Sequence, residues 1–166
     1  MKNFKLLFFF LILLPNFIVG QINSEFTTVK TRTTDVKISG KWVQLNTSDD
    51  SGQTYYKNSD GIIIAIAQNP KKMYSFFSAK NSDFENVKLF YSWDSDYRKE
   101  EKMKTVKLKE NAKLEYVIWK FHDEKLDNVF LFGSVKDNFL NLLVYTDKWS
   151  ENEKIEFLES TYKLNK

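Results

Sequence analysis

Hydrophobic positions change their spacing several times along this chain, and each change marks a predicted element. "GKWVQLN" (40–46) reads as a strand with Trp42 turned inward, and the polar cluster "TSDDSG" (47–52) after it reads as a turn. "QTYYK" (53–57), "NSDG" (58–61) and "IIIAIAQ" (62–68) form a predicted hairpin whose four-residue loop contains Gly61. The second strand of that hairpin is apolar at successive positions. It therefore belongs inside a sheet covered on both faces, and Pro70 ends it. Further on, "KMKTVKLKEN" (102–111) is a lysine-laced strand, followed by "KLEYVIWKF" (113–121), "NVFLFGSV" (128–135) and "FLNLLVYT" (139–146). The last three are apolar on alternate and intervening positions alike, and the short turns between them make a meander.

Two segments carry helical spacing instead. Ser82 stands three residues before Glu85, the arrangement of a capping box, and Phe84, Val87 and Tyr91 then share a face that Phe90 and Tyr97 widen. "VKLFYSW" within that segment also alternates like a strand; the cap and the charged continuation "DYRKEEK" favour the helix. Ser150 and Glu153 form a second capping box ahead of Ile155, Leu158 and Tyr162. The fold class that follows is α+β: an antiparallel β-sheet of five to seven strands with a C-terminal meander, packed with two helices in a sandwich-like arrangement. Residues 36–166 form one domain, and the Thr-rich stretch 21–35 reads as a flexible N-terminal arm with a short strand near Phe26–Lys30.

This order of elements, above all the closing hairpin "NVFLFGSVKDNFLNLLVYT" followed directly by "SENEKIEFLESTYKL", resembles the sandwich of the photosystem II extrinsic PsbP-type proteins over most of residues 40–163. The resemblance implies an α/β/α sandwich in a family that includes binding and assembly proteins without enzyme activity. It implies no functional residue, because it rests on element order and not on a motif.

The N-terminus changes the picture of where the protein works. Lys2 and Lys5 precede an apolar run over residues 6–14, which Pro15 and Asn16 break before the small Gly20. That is the pattern of a secretory signal peptide over residues 1–20, with cleavage expected before Gln21; the run is too short for a membrane span. The chain has 25 basic and 22 acidic residues, and removal of Lys2 and Lys5 leaves 23 against 22, a net charge of +1. Such a balance calls for neither nucleic acid nor an anionic membrane as partner. With no cysteine there is no disulfide and no lipoprotein anchor, so packing alone must hold the domain. Abundant Lys, Asn and Phe with few Pro and Gly fits an AT-rich bacterial genome, and the expected location is periplasmic or secreted.

Candidate chemistry is sparse. The single histidine, His122, lies between two apolar strands in "KFHDEKLD" and reads as a solvated turn residue. One histidine without cysteine does not make a zinc site. There is no GxSxG motif, and the glycines at 40, 52, 61 and 133 do not cluster into a phosphate loop. In "SWDSDYRKEE" (92–101), Asp94 and Asp96 point about 200° apart on a helix and cannot chelate together. Their stretch reads as a solvated helix face, and the sharper reading is an exposed aromatic ledge of Trp93 and Tyr97 beside Arg98, able to stack on a sugar or a peptide. The lysines of 98–109 read as protection of an edge strand, with an anion patch as the alternative. The sequon at 46–48 matters only in a eukaryotic secretory pathway. These features point to a non-catalytic binding domain for a protein or envelope component, with no cofactor, metal or catalytic residue. The alternative is a carboxylate-based hydrolase acting on carbohydrate. If the leader is a signal peptide, protein recovered from its own host will begin at or near Gln21 on N-terminal sequencing; intact Met1 in a cytoplasmic fraction would refute export.

Overall fold

The computed structural model describes residues 25–48 and 51–166; the expected signal peptide, its cleavage site, the start of the arm and part of the turn at 47–52 lie outside them. The chain runs β1 (Phe26–Lys30), β2 (Asp35–Ser39), β3 (Val43–Thr47), β4 (Thr54–Lys57), β5 (Ile63–Pro70), α1 (Asp83–Glu100), β6 (Lys104–Asn111), β7 (Tyr116–His122), β8 (Asp127–Val135), β9 (Asn138–Tyr145) and α2 (Glu151–Asn165). The fold is α+β, as expected. β3 to β9 make a seven-stranded sheet in the order β3-β4-β5-β9-β8-β7-β6, antiparallel at every pairing, and β1 and β2 form a separate two-stranded sheet. Both helices begin with the expected capping boxes, closed in each case by reciprocal Ser–Glu hydrogen bonds.

The pleat sorts the apolar runs onto two faces. Ile66, Leu142, Leu131 and Ile118 form one cross-strand row, and Ala65, Leu143, Phe130 and Trp119 form a row on the opposite side. The first face is covered by α2 and by the β1–β2 hairpin, through Leu158, Tyr162, Val29, Val36 and Ile38. The second is covered by α1, which packs on β6, β7 and β8 through Val87 and Phe90. So the strand expected at Phe26–Lys30 is present, and its partner β2 is one the sequence pattern did not single out. Asn165 at the end of α2 holds the outer edge of β2 by two side-chain bonds to the Lys37 backbone, each 2.8 Å.

Gly133 fixes how closely α2 approaches. A Cβ at this position would lie 2.4 Å from Cε2 of Tyr162, so only glycine lets the tyrosine ring rest on β8. The Tyr162 hydroxyl donates to the Ser134 carbonyl at 2.6 Å, and burial pushes its ionisation up. At the far edge, β6 carries Lys104, Lys107 and Lys109 along the sheet border, with a bulge between the last two. This is the lysine-protected edge strand that the composition implied.

Trp119 has no exposed surface and stacks on Phe130 with ring centroids 4.8 Å apart and planes 7° from parallel. Tyr91 of α1 meets it edge-on at 5.9 Å. Trp119→Ala should therefore cost about 3–5 kcal/mol in urea-denaturation experiments. A loss below about 1 kcal/mol would be inconsistent with this packing.

Candidate functional site

One helix is about 10 Å wide and strands lie about 4.8 Å apart, so α1 alone covers only two or three strands. It sits over β6 to β8, and the α1-side face of β5 and β9 is left to the segment that follows β5, where Tyr74 and Phe76 pack on Phe132 and Phe139. That cover is incomplete. A cavity of about 300 Å³ remains between α1 and the sheet, floored by Ala67 and Asn69 of β5, Asn141 of β9 and Phe130 of β8. Phe90, Trp93, Asp94 and Arg98 of α1 and Met73 and Tyr74 line it, together with Arg32, Ser51 and Gln53.

Helical register puts a carboxyl group into this cavity. Asp94 follows Val87 by seven residues, two helical turns, and so falls on the same buried face as Val87 and Phe90. It is 7% exposed. The expected solvated face is therefore corrected for Asp94, while Asp96, on the other side of the helix, is exposed and pairs with Lys99 at 2.8 Å. Burial pushes the Asp94 carboxyl above its usual range, and the neighbouring Arg98 draws it back only in part. The Arg98 Nε stands 3.8 Å from Asp94 Oδ1, too far for a hydrogen bond. Aromatic faces hold the guanidinium in place, Phe121 at 4.3 Å and Phe130 at 5.8 Å.

The sheet side is also polar. Asn69 is 6% exposed, and its Nδ2 donates to the Ser51 carbonyl at 3.1 Å and to the Tyr74 hydroxyl at 3.2 Å. These bonds fix the amide so that Oδ1 is the oxygen left over. Burial raises the ionisation of Tyr74, opposed by the Asn69 bond and the charge of Arg32. Four buried side-chain atoms among the cavity's lining residues have no hydrogen-bond partner: Asn69 Oδ1, Asn141 Oδ1, Asp94 Oδ2 and Arg98 Nε. A buried polar atom left unpaired costs about 1–3 kcal/mol, so their gathering at one place is the chemical signature of the site.

The expected ledge divides here. Trp93, 55% exposed, and Arg98 both line the cavity; Tyr97, 50% exposed, lies outside its lining. Sequence reading missed Asn69, Asn141 and Tyr74. The signal was present: Asn69 continues the odd-numbered row after Ala65 and Ala67, and Asn141 interrupts the row of Phe139 and Leu143. His122 is outside this cavity. It ends β7 in an exposed position, with Nδ1 3.0 Å from Oδ1 of Asp127, its cross-strand partner. Lys120, more than His122, holds the Asp127 carboxyl below its usual range. Among the described residues no group of three or more His, Cys, Asp or Glu is placed to hold a metal ion, and no helix is long and apolar enough to cross a membrane.

No protein-family model matches the chain, and no curated protein matches it.

Because the folded Asp94 carboxyl has a raised pKa, the folded state binds more protons than the unfolded state between the two values, and stability falls as pH rises through that window. Asparagine carries no such penalty. Asp94→Asn should melt higher than the parent protein at pH 7, with the gain shrinking as pH falls through the raised value and gone below the ordinary carboxylate value of about 3.9. A variant that melts lower at pH 7 would show that the pairing with Arg98 outweighs burial.

Proposed function

We propose that this chain is an exported bacterial binding domain that acts without catalysis, and that it receives its ligand, a group on an envelope component, in the cavity between α1 and the sheet. The observation that carries this reading is the convergence of four unpartnered buried polar atoms on one cavity. Folded proteins pair such atoms with few exceptions, and a site that leaves several unpaired beside apolar walls matches the general build of a ligand pocket. The lysine-led apolar leader supports export.

The hydrolase alternative has less support. A two-carboxylate glycosidase needs its acids about 5–10 Å apart across the scissile bond. Asp94 is the one carboxylate among the cavity's described lining residues. It also stands beside a guanidinium, an arrangement suited to holding a ligand.

Trp93 gives the direct test. Its ring is half exposed and touches Phe76 and Phe90 at centroid distances of 6.2 and 6.0 Å, so Trp93→Ala should cost about 1 kcal/mol or less in stability. Titration of isotope-labelled protein with fractionated envelope extract from its host should shift the NMR resonances of Asn69, Asn141 and Trp93. The shifts should vanish in Trp93→Ala and persist in Tyr97→Ala. Shifts centred on Tyr97, or anywhere else on the surface, would move the binding site away from the cavity.

A further inference from the structure

We propose that the ligand of this cavity is a neutral sugar ring, one hexose-sized unit held through adjacent hydroxyl groups; the inference rests on the cavity being a binding site. The inventory of unpartnered atoms leads to it. Three are acceptors, Asn69 Oδ1, Asn141 Oδ1 and Asp94 Oδ2, and one, Arg98 Nε, is a donor. An anion would meet Arg98, whose charge Asp94 offsets, and Arg32, but it would also stand against three acceptor oxygens to which it has no proton to donate. A cation would meet one carboxylate with Arg98 beside it at 3.8 Å and Arg32 in the same lining. An apolar ligand would leave all four atoms unpaired. A hydroxyl group both donates and accepts, so neighbouring hydroxyls can serve the acceptors and the donor together without adding charge.

The apolar walls agree with this choice. Trp93 presents a half-exposed indole at the cavity, and Phe90 lies behind it at 6.0 Å, so the C–H face of a ring has a flat aromatic surface to lie on while its hydroxyls turn inward. The groups that carry the unpartnered atoms are a carboxyl, two carboxamides and a guanidinium, all planar forks suited to paired hydroxyls. The volume, about 300 Å³, is at the small end for ligand pockets, room for one ring. A free monosaccharide and the terminal residue of an envelope glycan present this same chemistry.

The test is a titration of the full mature protein, followed by NMR and by Trp fluorescence. The probes are the methyl glycosides of glucose, galactose, mannose and N-acetylglucosamine, oligosaccharides ending in the same sugars, and glycine, lysine, acetate and phosphate as charged competitors. At least one neutral glycoside should shift the side-chain amides of Asn69 and Asn141 and the Trp93 indole. Asp94→Asn and Trp93→Ala, both still folded by circular dichroism, should each weaken that binding at least tenfold. An oligosaccharide that binds at least tenfold more tightly than its terminal glycoside identifies a glycan end as the source; equal affinity identifies the free sugar. If an amine or an anion shifts those three residues while no glycoside does, the sugar assignment is wrong and the cavity remains a binding site. If envelope extract shifts resonances only elsewhere and no probe reaches these residues, both readings fail.

Discussion

A sheet whose inner strands are apolar on both sides has to be covered twice, and most features of this protein follow from that requirement. β5, β7, β8 and β9 are buried at most positions on both faces. On one side the cover is α2 with the β1–β2 hairpin, brought close by the absence of a side chain at Gly133 and fastened by the Tyr162 hydroxyl. On the other side α1 is the one α-helix among the described residues, and it is too narrow for the width of the sheet. Aromatic residues after β5 fill most of the remainder, with Tyr74 and Phe76 meeting Phe132, Phe139 and Phe90. The cavity is what they leave.

Its chemistry has a thermodynamic side. Unpaired polar atoms and a buried carboxyl weaken a fold, and a domain without disulfides has only packing to offset them. Binding sites commonly hold such locally unfavourable groups, since substitutions that relieve them stabilise the protein and impair its function. Here the groups are carried by rigid elements, an 18-residue helix and two interior strands, so their geometry is set before any ligand arrives.

Much of the fold was legible in the sequence because period and caps agreed. Ser82–Glu85 and Ser150–Glu153 located both helix starts, and unbroken apolar runs identified the doubly covered strands. β2 was not legible: in "DVKIS" only Val36 and Ile38 turn inward, and their value as a strand depends on distant α2 and on a partner in β1. Of the site, Trp93 and Arg98 were named as part of an exposed ledge, and Trp93 is exposed; that both also line a cavity was not legible. Asp94 was read by its charge when its register with Val87 and Phe90 placed it inside. Asn69 and Asn141 each stand out within the apolar row of their own strand, but that the two rows are neighbours on one face follows from the pairing of β5 with β9, which is a tertiary fact.

The pairing of β5 with β9 also sets the order in which the molecule can assemble. Its partners run from Pro70 with Asn138 to Ile63 with Tyr145, separations of 68 to 82 residues, and they join β3, β4 and β5 to the C-terminal meander. Closing a loop of that length precedes any gain from the contacts, which places the step among the slow, non-local ones in folding kinetics. A chain passing out of a cell N-terminus first would present β5 long before β9 existed to pair with it. The last strand is thus the one that joins the two halves of the sheet, and the floor of the cavity, shared by β5 and β9, comes into being only at that moment.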